Sequence, residues 1–331
     1  MLKQTGTILI FLLMANIVFP NESRTVLGSS IEVLDNENTN IIMLEEVINI
    51  TLYKEYYEVT VEFDFYNEGA QEVILLGFPI KATYQPIADE RELAKLYNFE
   101  SYINGILLPE YTVREESTED RFYITTTTWF LREVVFPANS HTYSRVTYRA
   151  PYNHAGFFKS AGYIYGTGRS WKGNIGRMTI FVNHEDDIII DGVSFRNGHS
   201  PNFTWVGNGK YQYVMENFNP ELDSSIHIGI TPFDIYGQYR HEFGDWAEGW
   251  IWNEHLLYRN ENDIRLFTKN QIRLFINFFY ALHGYNFRNE LYIDYFRKIN
   301  DTINPNFSEN DFNEIERKNI DWLLNLERMI P

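Results

Sequence analysis

Apolar and polar residues alternate along much of the chain between residues 45 and 230, and this alternation predicts β-strands. In Glu58–Phe65 every second residue is apolar, which is the period of a strand with one buried face. The residues expected to face the core are Val59, Val61, Phe63 and Phe65. Closely spaced turn signals separate several such runs. The pattern therefore predicts an antiparallel β-sandwich over residues 45–236.

Two local signals refine this prediction. Asn104-Gly105 lies between two apolar runs, and this dipeptide favours a tight hairpin because both turn positions need positive φ. The apolar run Glu72–Phe78 is expected to end at Pro79, because proline cannot donate a hydrogen bond to a neighbouring strand.

The period changes from two residues to that of a helix near the C-terminus. Thr268–Leu282 carries apolar residues at helical spacing, and Thr268 with Gln271 fits a capping box. Gly284 is placed to end this helix in a left-handed conformation. Further helices are predicted over Asn289–Lys298 and from Ser308 onward. The expected fold class is therefore α+β and multidomain, with an N-terminal sandwich and a small C-terminal helical module.

The two ends and the centre of the chain complete the domain prediction. Residues 1–20 resemble a signal peptide, because Ile8–Phe19 is apolar but shorter than the ~20 residues of a membrane-spanning helix. This segment is either cleaved or retained as an N-terminal anchor, and we expect export to the periplasm or the extracellular space. Residues 21–44 are predicted to be a polar leader. Residues 237–261 form an aromatic-rich linker before a helical domain at 262–328.

Composition narrows the classes of function. The chain has 28 basic and 45 acidic residues and a formal net charge of −17, which argues against nucleic acid and anionic membrane surfaces as partners. It contains no cysteine, which excludes disulfides, cysteine-ligated zinc and thiol catalysis. Aromatic residues make up 17% of the chain, enough to build real cores.

Three acidic or histidine-containing segments are candidate metal sites. They are the group from His241 to His255, His184–Asp187, and Asp35–Asn40. None has the complete spacing of a known motif, and they are interpreted as a linker, a turn and a leader. No nucleotide-binding or nucleophile motif is present either. The sequence therefore predicts no catalytic residue, no metal and no cofactor, and it favours a function without catalysis.

The densest aromatic patch contains three tryptophans with interleaved acidic residues. Trp246, Trp250 and Trp252 could form a platform for stacking sugars, and they are candidate binding residues. The alternative is a seam that packs the helical module on the sandwich, which is favoured because tryptophan dominates interface energetics.

The helical segment also carries a recognisable motif. Tyr280-Ala281-Leu282-His283-Gly284-Tyr285, with Phe287 after it, resembles the name-giving motif of the YARHG domain. Leu282 stands where the motif has arginine. The resemblance implies a small extracytoplasmic bacterial module and suggests an association with the cell wall. Tyr280 and His283 are candidate binding residues, but a structural role is favoured, in which His283 caps carbonyls at the helix end.

The β region resembles, more loosely, a secreted bacterial family of unknown function, through Gly77-Phe78-Pro79 and Tyr165–Trp171. Together these features predict an exported, non-enzymatic envelope protein that binds a cell-wall polymer or an envelope protein. The alternative is an exported hydrolase that acts on cell-wall sugars or peptides.

Overall fold

The computed structural model describes most of the chain outside its first residues and the segment before the helices. The described residues are 23–34, 39–84, 96–108, 111–120, 122–155, 158–185, 188–195, 203–207, 210–221, 224–232, 268–297 and 302–329. The predicted signal segment, the predicted linker and the His241–His255 group lie outside them, as do Trp246, Trp250 and Trp252.

The strands, in chain order, are β1 (Ser23–Ser29), β2 (Glu32–Val33), β3 (Ile41–Leu52), β4 (Tyr56–Asn67), β5 (Glu72–Tyr84), β6 (Tyr97–Ile103), β7 (Ile106–Leu107), β8 (Thr112–Glu119), β9 (Ile124–Phe136), β10 (Ser140–Pro151), β11 (Asn153–Ala155), β12 (Phe158–Ile164), β13 (Ile175–His184), β14 (Ile188–Phe195), β15 (Thr204–Gly207), β16 (Lys210–Phe218) and β17 (Ser225–Pro232).

These strands form two sheets. The first has the order β14-β17-β12-β11-β1-β5-β9-β8, with β2 beside β5, and the second has the order β15-β16-β13-β3-β4-β10-β6-β7. Most pairs are antiparallel. Two are parallel, β3 with β13 and β1 with β12. The expected β-rich fold with a small C-terminal helical part is confirmed, and the parallel pairs depart from the predicted antiparallel pattern because their partners are distant in sequence.

Both sheets contribute to one apolar core. Its centre contains Val59, Val61 and Phe65, each 0% exposed, and Phe63 at 2%, so the predicted inward face of β4 is confirmed. Contacts cross from one sheet to the other. The ring centroids of Phe65 and Phe136 lie 5.8 Å apart. The two sheets therefore pack face to face over a continuous core.

The predicted polar leader over residues 21–44 is wrong from Ser23 onward. β1 lies inside the first sheet, between β11 and β5, and Ile31 is fully buried. The Tyr165–Trp171 segment holds the connection between β1 and β2. Thr167 Oγ1 donates to the Ser30 carbonyl at 2.8 Å, and Trp171 Nε1 donates to the Ile31 carbonyl at 3.1 Å. The segment resembling the secreted family is thus a structural clamp here.

Two turn predictions have different outcomes. The Asn104-Gly105 hairpin is confirmed, with φ of 49° and 78° at its two positions, between β6 and β7. The predicted end of the strand at Pro79 is wrong, because β5 continues to Tyr84. On one side of β5, Pro79 lies opposite the gap between β1 and β2. Because no neighbouring strand stands there, the missing N–H of Pro79 costs no hydrogen bond.

The C-terminal part contains helices α1 (Lys269–Leu282), α2 (Glu290–Phe296) and α3 (Glu314–Met329). The Thr268–Gln271 capping box of α1 is confirmed. Ser308 also forms a capping box, but it caps the 3₁₀ turn Glu309–Asp311, and α3 begins only after Asn313. Ile272 and Leu323, both 0% exposed, anchor a core between α1 and α3.

None of the described helices combines the length and the apolar character needed to cross a membrane.

Candidate functional site

The two sheets end side by side at one border, where β8 is the last strand of the first sheet and β7 the last of the second. Apolar side chains on this border point toward the space between the sheets but stay partly exposed. We call this set the aromatic edge. Its members are Phe99, Ile106, Tyr111, Val113 and Phe130.

Ring contacts hold the aromatic edge together across the two sheets. Phe99 of β6 stacks on Phe130 of β9, with ring centroids 4.1 Å apart and an interplanar angle of 18°. Tyr111 packs edge-on against Phe130 at 4.9 Å and against Phe99 at 5.4 Å. Tyr111 nevertheless keeps 39% of its surface exposed and Ile106 keeps 69%. The edge is therefore a preformed aromatic surface that water still reaches.

Polar residues occupy the same inter-sheet face directly behind the aromatic edge. We call them the arginine cluster, which consists of Arg132, Ser101, Thr142 and Ser144. Arg132 follows Phe130 by two positions on β9, and Ser101 follows Phe99 by two on β6, so both point the same way as those rings. Arg132 is only 8% exposed, and its Nη2 donates to Ser144 Oγ at 3.1 Å.

The arginine cluster is electrostatically unusual. Among the described residues, Arg132 forms no ion pair, and its Nε has no hydrogen-bond partner. The hydroxyl oxygens of Ser101 and Thr142 are also buried without a partner. Burial lowers the pKa of Arg132 to about 10, so the guanidinium stays charged at neutral pH.

A second buried polar group lies deeper in the core. Glu46 is 0% exposed, and its Oε1 accepts a hydrogen bond from the Tyr163 hydroxyl at 2.8 Å. Burial raises the pKa of Glu46 to about 7, although the hydrogen bond from Tyr163 lowers it. Burial also raises the pKa of the Tyr163 hydroxyl, and the nearby Glu46 carboxylate adds to this effect.

A β-bulge near Leu44 explains why Glu46 points inward. The pairing register of β3 with β4 shifts between Met43 and Glu45, so the inward positions become Glu46, Ile48 and Ile50. Gly176 accommodates the bulge, because a Cβ there would lie 2.5 Å from the Leu44 carbonyl oxygen.

The YARHG-like residues lie at the end of α1 and contact their own module. The Tyr280 hydroxyl donates to Glu309 Oε1 at 2.8 Å, and its ring packs on Phe312 at 5.0 Å. Burial, followed by the hydrogen bond to Glu309, raises the pKa of Tyr280 to about 12. Tyr285 packs on Tyr280 at 5.3 Å and keeps 42% of its surface exposed.

The predicted capping role of the His283 side chain is wrong. Backbone N–H groups satisfy the carbonyls at the end of α1: Tyr285 donates to Tyr280 and Gly284 to Ala281, both at 3.0 Å. The His283 ring is instead 3.0 Å, from Nε2 to Oε2, from Glu316 on α3. Phe287 packs with Phe296 beside Phe278 and Ala281.

Within the described part of the chain, no group of three or more histidine, aspartate or glutamate side chains is arranged to hold a metal ion. His184 and Glu185 lie at the end of β13, and His184 Nδ1 is 3.0 Å from the Glu185 carbonyl oxygen. Asp186 and Asp187 lie outside the described residues, as do residues 35–38 of the candidate segment Asp35–Asn40. In the rest of that segment, Thr39 Oγ1 donates to Glu72 at 2.9 Å and the Asn40 N–H donates to Glu72 at 3.0 Å.

Comparisons with known proteins place the fold. No protein-family model matches the chain, and no curated protein matches it. Among solved structures, a Legionella pneumophila protein named provisionally as a nutrient-binding protein aligns with a TM-score of 0.51 and 18% identity, covering 93% of this chain and 100% of its own. At this identity the likeness shows a shared fold alone.

A weaker likeness involves the M1 zinc metallopeptidase of Deinococcus radiodurans. It has a TM-score of 0.30 and 10% identity, and the alignment covers 58% of this chain and 43% of the peptidase. This similarity is too low to support an argument about fold or activity.

Proposed function

We propose that this protein is an exported, non-enzymatic envelope protein that binds a cell-wall or protein partner through the aromatic edge. The observation that supports the proposal is the partial exposure of an aromatic cluster that is already assembled from both sheets. Rings held by stacking lose little conformational freedom when a partner covers them, so such a surface is well prepared for binding. The provisional name of the Legionella protein with this fold agrees with a binding role.

In this proposal the β-sandwich recognises the partner, and the YARHG-like module helps to dock the protein in the envelope. The module has an aromatic core of its own between α1 and α3. The export part of the proposal is supported by the apolar segment Ile8–Phe19. Cell fractionation should therefore find the chain outside the cytoplasm. Recovery from the cytoplasm with an intact N-terminus would contradict export.

The binding surface can be tested with a neutral apolar fluorophore, N-phenyl-1-naphthylamine, and purified protein. We expect the fluorophore to bind the wild type and to be displaced by isolated cell-wall fragments or by an envelope protein fraction. Tyr111→Ser combined with Phe99→Ser should abolish fluorophore binding. Val135→Ser is the matched control, because Val135 is 50% exposed but lies on the outer side of β9. Equal binding by the edge variant and the control would contradict the proposal.

A further inference from the structure

The strand β8 ends the first sheet and contributes to the aromatic edge. It spans eight residues, and all eight are exposed. On one side, β9 pairs with it over its whole length. On the other side, no strand from the described part of the chain pairs with it. β8 therefore presents one backbone edge to the solvent.

The turn after β8 shows which backbone groups lie on this edge. The N–H of Asp120 donates to the Tyr123 carbonyl at 2.9 Å, so the two residues form a hydrogen-bonded pair. Hydrogen-bonded pairs alternate with other pairs along an antiparallel ladder, so the bonds to β9 come from Thr112, Arg114, Glu116 and Thr118. The N–H and C=O groups that point away from β9 belong to Val113, Glu115, Ser117 and Glu119. We call these four residues the open edge.

The side chains of the open edge all lie on the inter-sheet side of β8. Val113 is opposite Phe130, and Ser117 Oγ is 3.0 Å from Oγ1 of the buried Thr126. Val113 already belongs to the aromatic edge and is 50% exposed. The surface is therefore apolar at Val113 and becomes acidic along the rest of the strand.

Charge indicates which partner fits the open edge. β8 carries one arginine and three glutamates, and Arg114 Nε pairs with Glu116 Oε1 at 3.2 Å on the other face of the strand. Glu115 and Glu119 leave the strand with a net negative charge. A second copy of this chain would bring two negative edges together, whereas a basic partner would be complementary.

We propose that the partner is a protein whose extended segment adds to β8 as a further strand of the first sheet. Strand addition would supply main-chain hydrogen bonds to the open edge, and side chains would supply specificity. The segment would carry basic residues opposite Glu115 and Glu119 and an apolar residue opposite Val113. This inference rests on the proposed function, since it names the class of partner that the aromatic edge would bind.

Calorimetric titration of the full chain at low salt with capped peptides tests the proposal. The peptides Lys-Thr-Thr-Thr-Lys-Thr-Phe-Thr and Thr-Phe-Thr-Lys-Thr-Thr-Thr-Lys match the open edge in the antiparallel and the parallel direction. We expect at least one of them to bind about tenfold or more tightly than its counterpart with glutamate in place of both lysines. The same peptide with every backbone nitrogen methylated should not bind, because it cannot donate main-chain hydrogen bonds.

Charge variants assign the preference to the open edge. Glu115→Lys combined with Glu119→Lys should reverse the preference, so that the glutamate peptide binds more tightly than the lysine peptide. Glu62→Lys combined with Glu133→Lys is the matched control, because both residues are exposed and neither lies on β8. This control changes the net charge by the same amount and should keep the wild-type preference.

A backbone variant and amide exchange test the strand addition itself. Ser117→Pro removes an N–H of the open edge that does not bond to β9, so the sheets should fold and peptide binding should be lost. Amide exchange of the wild type, measured by NMR, should slow at Glu115 and Ser117 when the lysine peptide binds. The wild-type measurements remain decisive if Ser117→Pro does not fold.

Several results would overturn the inference. The lysine and glutamate peptides bind equally, the methylated peptide binds as well as its parent, or exchange at Glu115 and Ser117 is unchanged by the bound peptide. A dimer of the free protein that Ser117→Pro dissociates would show instead that a second copy occupies the edge.

The neutral fluorophore separates this inference from the proposed function. If no peptide binds but cell-wall fragments displace the fluorophore, the inference is overturned and the proposed binding function stands with a wall polymer as the partner. Failure of both the peptides and the fluorophore would overturn the inference and the proposed function together.

Discussion

The hydroxyl group of Tyr163 donates a hydrogen bond of 2.8 Å to Oε1 of Glu46, and the two side chains come from different sheets. The other carboxylate oxygen of Glu46 has no hydrogen-bond partner. If Glu46 were ionised, only one of its two carboxylate oxygens would accept a hydrogen bond in the core. The protonated, neutral form is therefore favoured, because it buries no charge. This arrangement links the packing of the two sheets to pH.

The raised pKa of Glu46, about 7 against an ordinary 4.5, predicts how stability changes with pH. Between these values the folded state holds a proton that the unfolded state releases, so the free energy of unfolding falls as pH rises. The contribution is fully present below about pH 4.5 and is lost as pH passes about 7. The shift corresponds to at most roughly 3 kcal/mol.

Glu46→Gln should remove this contribution to the pH dependence. Urea unfolding at about pH 5 and about pH 8 gives the free energy of unfolding at each pH. The decrease between the two pH values should be smaller for the variant than for the wild type, because glutamine does not titrate. Glu62→Gln, at an exposed position on β4, is the control and should leave the wild-type difference unchanged. An unaltered difference in Glu46→Gln would show that Glu46 does not titrate in this range.

Val61→Asp should unfold the two sheets. Val61 is 0% exposed at the centre of β4, and a carboxylate there would be buried without a partner. We expect a loss of about 3 kcal/mol or more in the free energy of unfolding. Thr60→Asp, one residue away on the opposite face, should cost much less. A wild-type melting temperature for Val61→Asp would contradict the inward register of β4.

Gly284→Val should destabilise the helical module for two reasons. Gly284 has φ of +73°, and a Cβ there would lie 2.6 Å from the Thr302 carbonyl oxygen. Gly105→Val separates the two effects, because Gly105 has φ of +78° but nothing within 4 Å of a Cβ. Thermal unfolding followed by circular dichroism should show a loss of about 2 kcal/mol or more for Gly284→Val, with a smaller loss for Gly105→Val.

Glu316→Ala should cost more stability than His283→Ala. Glu316 Oε2 accepts a hydrogen bond from the Asn313 N–H at 2.8 Å as well as contacting His283, so it also closes the first turn of α3. We expect about 1 kcal/mol for the lost cap. A double-mutant cycle should give a measurable coupling between His283 and Glu316. Zero coupling would show that their contact contributes nothing to the module.

Much of the fold follows from local patterns in the sequence. The alternation in β4, the Asn-Gly hairpin and the Thr268 capping box each depend on neighbouring residues, and each is confirmed. β1 and β2, which lie in the predicted leader, have no comparable local signal, because they owe their burial to distant strands. The parallel pairing of β3 with β13 has no local signal at all.

The residues of the arginine cluster and Glu46 are absent from the sequence-based predictions, although they follow the strand period. Arg132 occupies the same phase as Phe130, Val134 and Phe136, and that phase alone would have placed it inward. Glu46 likewise shares the phase of Ile48 and Ile50. A charged residue is ordinarily expected to face solvent, because the burial of an unpaired charge is costly. A charged residue on an apolar phase is therefore the signal that could have found both groups.

The parallel pairing of β3 with β13 also limits which fragments of this protein can fold on their own. β3 lies in the interior of its sheet, with β4 on one side and β13 on the other. A chain truncated before β13 would expose one whole side of an apolar strand, and unprotected strand edges of this kind pair with other chains. We therefore expect fragments that end before Ile175 to aggregate, so the sheets must be produced as one piece through Pro232.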